Sequence, residues 1–174
     1  PLPEQFMADM AVVIPCYDEY ELNFTLTDLT TCDPPETNTM VVMVINSTVK
    51  SNKEAVEQNR KTYREVQQFS QTFSTDRILF VPIIVENLPK KHGGVGLARK
   101  IGMDLAVDYF HKTGNPKGIL VSLDADCGVS KNYLRDIYRA FQDKKVCCSI
   151  HNFRHRVQNN DEILEKAIRE YEGY

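Results

Sequence analysis

Short apolar segments alternate with helical patterns along this chain, and this alternation limits the fold more than any other feature. The apolar segments that predict strands lie at residues 10–15, 40–46, 78–86, 119–123 and 146–150. Between them apolar residues recur at spacings of three and four, as in Leu22, Leu26 and Leu29, which is typical of amphipathic helices. The pattern predicts an α/β fold with a mostly parallel sheet and right-handed crossovers.

Local signals refine the helices and strands. Residues 51–54 form a capping-box pattern at the start of a helix that we expect to run to about Phe73. Pro82 lacks an amide N–H, so the third strand is expected at a sheet edge or a bulge. Ser130 is the expected cap of the following helix, and residues 161–174 carry an amphipathic pattern that predicts a last helix.

A third helix is predicted after the glycine-rich residues 93–96. Leu97, Ile101, Leu105 and Tyr109 recur on one face of it, so we expect this face to pack on the sheet.

Composition excludes several classes of protein. The 174 residues have a net charge of −3, whereas a nucleic-acid-binding domain is usually basic. No apolar run approaches the roughly 18 residues of a membrane span. The five cysteines have no C-x-x-C spacing, which favours reduced thiols. We therefore expect one cytoplasmic domain.

The segment GILVSLDADCG, residues 118–128, contains the strongest chemical signal. A buried-type strand runs directly into Asp124 and Asp126. In extended chain, residues two apart point the same way, and ligands of open α/β sheets collect beyond the carboxyl ends of the strands. Mg²⁺ and similar hard cations bind one or two carboxylates together with substrate phosphates. The pair therefore predicts a metal-bridged diphosphate site.

Polar residues also follow two other predicted strands. The first strand ends in the sequence of residues 15–19, PCYDE, and the second ends in Asn46, Ser47 and Thr48. Because the carboxyl ends of parallel strands lie at the same edge, we expect these residues to border the same crevice.

Four segments occur in an order and spacing that resemble a known family: VVIPCYDE, VVMVINSTVKS, GGVGLARKIGMDLAV and LVSLDADCGVSKNYL. Together, between Ala11 and Phe141, they resemble the nucleotide-sugar-binding half of a family 2 glycosyltransferase with the GT-A fold. The resemblance implies a three-layer α/β/α, Rossmann-like architecture. It also implies an inverting, hexosyltransferase-type enzyme that takes a sugar from a UDP- or GDP-linked donor.

The resemblance also implies roles for single residues. Pro15, Tyr17 and Glu19 match the turn that lies near the nucleotide. Asn46 stands where the family commonly has an aspartate that pairs with the base, and Arg99 matches the arginine of its A-R-x-x-G helix.

In the same family the acidic pair holds the metal. Asp124 and Asp126 match its D-x-D motif, with Asp126 on Mn²⁺ or Mg²⁺ and Asp124 on the ribose or on the shared metal. The general base of the family follows a variable acceptor region, so we expect it beyond Tyr174. Residues 1–174 are therefore expected to be a single nucleotide-sugar-binding domain truncated before the acceptor-binding part. The acceptor is unknown, and a saccharide or a lipid-linked acceptor at the inner face of a membrane fits the family.

Other interpretations stay open for these residues. Tyr17 is equally explained as a packed ring and Asn46 as a turn former. The run from Lys90 to His92 could meet phosphates, but a solvated loop is the favoured interpretation. The alternative functions are a nucleotide-sugar-binding domain that no longer transfers and a nucleotidyltransferase-like domain. A receiver-like signalling domain is disfavoured because Glu86 and Asn87, rather than a phospho-acceptor aspartate, follow the third strand.

Overall fold

The computed structural model describes residues 2–33, 36–91, 93–152, 166–168 and 170. The chain groups into two compact units, Pro1–Asp143 and Lys144–Tyr174. The strands and helices named in the next paragraph and the candidate site described below belong to the first unit. The truncated single domain over residues 1–174 stays a prediction.

The elements of the first unit alternate as the sequence pattern predicts. After a short 3₁₀ turn at Glu4–Phe6, they are β1 (Met10–Cys16), α1 (Leu22–Thr30), β2 (Thr39–Thr48), α2 (Lys53–Phe73), β3 (Ile78–Leu88), α3 (Val95–Lys112), β4 (Ile119–Ser122) and α4 (Tyr133–Ala140). Across the helices that the structure describes, none combines the length and the apolar composition needed to cross a bilayer.

The four strands form one parallel sheet in the order β3-β2-β1-β4. Met10 of β1 lies opposite Thr39 of β2 on one side and Ile119 of β4 on the other. This order is that of the first four strands of doubly wound nucleotide-binding sheets. It confirms the predicted α/β fold, and it places Pro82 in an edge strand of this sheet, as its missing N–H requires.

Helices cover both faces of the sheet. Side chains alternate along β1, so Val12 packs in a core with α1, α2 and α4, whereas Val13 packs on the opposite face with α3. Both valines have no exposed surface, which explains why β1 and β2 are apolar without alternation. The predicted three-layer α/β/α arrangement is confirmed.

The face of α3 that packs on the sheet differs from the expected one. Ala98, Gly102 and Ala106 are buried, together with Tyr109 and Phe110. The expected residues Leu97, Ile101 and Leu105 are only half-buried at the side of this face. Small residues face the strands because they let the helix axis approach the sheet closely, and hydrophobicity alone does not signal that.

Three other expectations about secondary structure are corrected. Residues 146–150 form no strand, and Ile150 is 94% exposed; strand preference depends on packing against neighbours, and these side chains are mostly exposed. The cap of α2 is Asn52, whose side chain accepts from the amide of Ala55 at 2.7 Å, and not Ser51. The residue that precedes α4 is Asn132 and not Ser130.

The predicted last helix lies mostly outside the described residues. Residues 166–168 are helical, and so is residue 170. His92, for which the sequence favours a solvated loop, also lies outside the part of the chain that the structure describes.

Candidate functional site

The candidate site lies where the strand order of the sheet reverses. β2 follows β1 on one side of the sheet, and β4 joins β1 on the other side. Loops that leave neighbouring strands in opposite directions open a crevice at such a point, beyond the carboxyl ends of the strands. By this rule the crevice is expected between the loop of residues 17–21, which follows β1, and the loop of residues 123–132, which follows β4.

Arg99 and Asp124 form an ion pair at this crevice. Arg99 lies in the second turn of α3, and its side chain is two-thirds buried, whereas the side chain of Asp124 is about half exposed. The Nε atom of Arg99 is buried and has no hydrogen-bond partner among the described residues. The structure therefore brings together two residues that the sequence motifs identified separately, one from the helix motif and one from the acidic pair.

Asp126 has a different environment from Asp124. Its side chain is exposed, and no lysine, arginine or histidine within the described ranges pairs with it. The thiol of Cys127 lies 3.8 Å from its Oδ1 atom. Burial, followed by the charges of Asp126 and Asp124, raises the pKa of the Cys127 thiol. The loop is thus acidic: Arg99 neutralises the carboxylate of Asp124, whereas no basic side chain of the described residues neutralises that of Asp126.

The acidic pair is compatible with a divalent cation that has an incomplete protein shell. No group of three or more His, Cys, Asp or Glu side chains suited to a metal was found among the residues described. Mg²⁺, however, is usually held by one or two carboxylates, with substrate phosphates and water completing the shell. The hard oxygen donor of Asp126 fits this mode of binding, which needs a phosphate ligand.

The loop after β1 is held in an unusual conformation. Asp18 has a φ of +53°, and its Oδ1 atom is buried without a hydrogen-bond partner in the described chain. Oε1 of Glu19 accepts hydrogen bonds from the amides of Tyr20 and Glu21, each at 3.0 Å, so this carboxylate orders the chain just before α1. Tyr17 is 47% exposed, which is contrary to the packed-ring alternative.

Asn46 lies inside β2 and is fully buried, so the turn-former alternative is wrong. Pro15 is likewise buried, inside β1. The register between β2 and β3 shifts directly after Asn46, and such bulges are frequent next to binding sites.

Gly93 lies against this end of β2: a Cβ atom there would be 2.0 Å from Cγ2 of Thr48. Gly93 is therefore explained by close packing against the end of β2.

Asn59 of α2 joins the ends of β1 and β2, and no sequence motif singled it out. Its Oδ1 atom accepts from the amide of Asp18 at 2.8 Å, and its Nδ2 atom donates to the carbonyl of Asn46 at 2.9 Å. Two neighbours add to this contact, since Gln58 and Thr62 both donate to the carbonyl of Glu19. The available signal was the position of Asn59 on the buried face of an amphipathic helix.

We expect Asn59→Leu to lower the free energy of unfolding by about 2 kcal/mol, because it leaves the part-buried Asp18 amide and the buried Asn46 carbonyl without this partner. Urea unfolding followed by circular dichroism measures the change. Gln68→Leu is the matched control, since it removes an amide from an exposed position of the same helix. Equal losses in the two variants would contradict the bridging role of Asn59.

Comparisons with known proteins give a limited likeness. The first 349 residues of S. aureus TarS, a family 2 glycosyltransferase, are similar to this chain with 19% identity and a TM-score of 0.48. The match covers 78% of this chain and 32% of that one. A longer structure of S. aureus TarS matches with 19% identity and a TM-score of 0.46, over 79% of this chain and 20% of that one.

The chain thus spans a third or less of the TarS chains that it matches. No family model and no curated protein sequence matches it. A similarity of this size does not identify an activity.

Proposed function

We propose that this chain is the donor-binding part of an inverting glycosyltransferase that takes a sugar from a UDP- or GDP-linked donor. One observation carries the proposal: Asp124 and Asp126 follow β4 at the point where the strand order reverses, and Arg99 forms an ion pair with Asp124. This is where open α/β sheets bind nucleotides. An arginine beside two carboxylates suits a ligand that has both a phosphate group and a bound cation.

Asp126 is the residue that would hold the cation, because its carboxylate is exposed and unpaired with any basic side chain of the described chain. Mn²⁺ or Mg²⁺ would neutralise charge on the leaving diphosphate when bound there. Asp124 is held by Arg99, which suits it to accept a hydrogen bond from the ribose or to share the cation.

The remaining site residues would contact the nucleoside. Tyr17 offers a half-exposed ring beside the crevice. Asn46 has an amide that can both donate to and accept from a base edge; because it is 2% exposed, the base would reach it only if the loops at the end of β2 move apart. Pro15 and Glu19 would shape the loop between them, since Glu19 already orders the chain at the start of α1.

Transfer itself needs a general base that deprotonates the acceptor hydroxyl. We assign none, and its expected place beyond Tyr174 stays a prediction, as do the acceptor and the cytoplasmic or membrane-face location. The alternative is a domain that binds the donor without transferring the sugar. The amide at Asn46 favours it, because a carboxylate is common there in the family that the sequence resembles. Release of UDP from a UDP-sugar would favour the enzyme.

The direct test is stabilisation of the wild-type chain by UDP or GDP in the presence of MnCl₂. At a ligand concentration near 100 times the dissociation constant, binding adds about 2.7 kcal/mol. For a chain of this length that corresponds to a rise in Tm of roughly 5–10 °C. The same nucleotides with EDTA are the control. Absence of a shift with both nucleotides and Mn²⁺ would overturn the proposal.

A further inference from the structure

The loop that carries the two aspartates is tied to α1 by a buried hydroxyl. Thr25 has no exposed surface, and its Oγ1 atom donates to the carbonyl of Ala125 at 2.6 Å. Ala125 is the residue between Asp124 and Asp126. The two partners are 100 residues apart in the sequence, so this contact exists only in the folded chain.

The hydroxyl of Thr25 donates its hydrogen bond to a different kind of acceptor from the hydroxyls of other threonines in α1. Thr27 and Thr30 donate to carbonyls of their own helix, at Asn23 and Thr27, which is the usual bond of a threonine within a helix. Thr25 instead donates out of α1. Since β4 ends at Ser122, the carbonyl of Ala125 has no place in the sheet ladder, and a buried carbonyl needs another partner.

A second contact holds the far end of the same loop. Oδ2 of Asp28, one turn after Thr25 in α1, accepts from the amide of Val129 at 3.0 Å. The loop is therefore held at Ala125 and at Val129, on either side of Asp126. The orientation of the peptide between Ala125 and Asp126 determines where the Asp126 carboxylate points, and the Thr25 hydroxyl fixes the carbonyl of that peptide.

We propose that Thr25 is a positioning residue that orders the acidic loop and so sets the Asp126 carboxylate for the cation and the diphosphate. This inference rests on the proposed function for its ligand, but the ordering of the loop is a property of the free chain. The contribution of Thr25 is its hydroxyl rather than its volume. Valine at this position should therefore lose the ordering of the acidic loop, and serine should keep it.

The experiment compares Thr25→Val with Thr25→Ser and with Thr39→Val as the matched control. Thr39 is also fully buried in the sheet, but its hydroxyl has no hydrogen-bond partner in the described structure. Hydrogen exchange of the ligand-free chain, followed by mass spectrometry, should be faster over residues 124–129 in Thr25→Val only. The dissociation constant for UDP with Mn²⁺ should rise at least about tenfold in Thr25→Val, as for residues that orient metal ligands.

The outcomes separate the two proposals. Recovery of wild-type exchange and affinity in Thr25→Ser, with no change in Thr39→Val, supports the role of the hydroxyl. Wild-type exchange over residues 124–129 in Thr25→Val overturns the inference, whether or not nucleotide binds. Faster exchange with unchanged affinity also overturns it, because the loop order would then be irrelevant to the site. If the wild-type chain binds neither nucleotide, the proposed function fails, while the exchange data still decide whether Thr25 orders the loop.

Discussion

We expect Asp126→Asn to abolish the rise in Tm that UDP or GDP with Mn²⁺ gives to the wild-type chain. The substitution keeps the size of the side chain and removes its negative charge. Hard divalent cations prefer carboxylate oxygens, and here the cation would link the chain to the diphosphate. We therefore expect the affinity for the nucleotide with Mn²⁺ to fall at least about 100-fold, which is the upper range for loss of residues that only support a metal ligand.

The same substitution should leave the free chain nearly as stable as the wild type, because Asp126 is exposed and makes no ion pair with a basic residue of the described structure. Asp108→Asn is the matched control: this carboxylate lies on α3 and pairs with Lys112 of the same helix. It should keep the full rise in Tm. A normal rise in Asp126→Asn would show that the nucleotide binds without this carboxylate, and the metal assignment would be wrong.

Gly102→Val should destabilise the folded chain even more than Asn59→Leu. A Cβ atom at Gly102 would lie 2.4 Å from Cγ1 of Val13 and 2.9 Å from Cγ2 of Val44. Both valines are fully buried in β1 and β2, so a shift of either one would disturb its packed neighbours. Overpacking of this kind costs about 1–3 kcal/mol and sometimes more, and valine adds two methyl groups beyond Cβ, so we expect a loss of about 3 kcal/mol or more.

The consequence for the site is separable from the loss of stability. α3 carries Arg99 one turn before Gly102, so a helix displaced from the sheet should also break the contact between Arg99 and Asp124. Urea unfolding measures the first effect, and nucleotide affinity under conditions where the variant is folded measures the second. Gly96→Val is the matched control, because no atom lies within 4 Å of a Cβ at that position. Equal stability of the two variants would contradict the close packing of α3.

Much of the fold was predictable because the signals are local. The spacing of apolar residues identified β1 to β4 and the intervening helices, and the missing N–H of Pro82 indicated an edge strand. The run from Val146 to Ile150 was wrongly predicted to be a strand. A β-branched apolar segment becomes a strand only when it can pair with a neighbouring strand and pack on a core. Asn52 took the place of Ser51 as the cap of α2 because both can accept a helix-start amide, and only the backbone geometry decides between them.

In the candidate site, too, local sequence motifs identified some residues, and tertiary contacts revealed others. The sequence alone identified Asp124, Asp126 and Arg99, since each lies in a short motif with a chemical reason. Thr25 and Asn59 were missed because their hydrogen-bond partners are separated from them in the sequence and become neighbours only when α1 and α2 pack on the sheet.

The sequence by itself therefore determined β1 to β4, the helices between them, and which carboxylates follow a buried strand, because these depend on the order of residues along the chain. Only the tertiary structure decided the strand order, the side of α3 that meets the sheet, the pairing of Arg99 with Asp124 and the anchoring of the acidic loop by Thr25. The physical reason is that these features depend on which surfaces approach within bonding distance after the chain has folded. A pattern of residue types predicts whether a surface is apolar or polar, but it does not predict which other surface will pack against it.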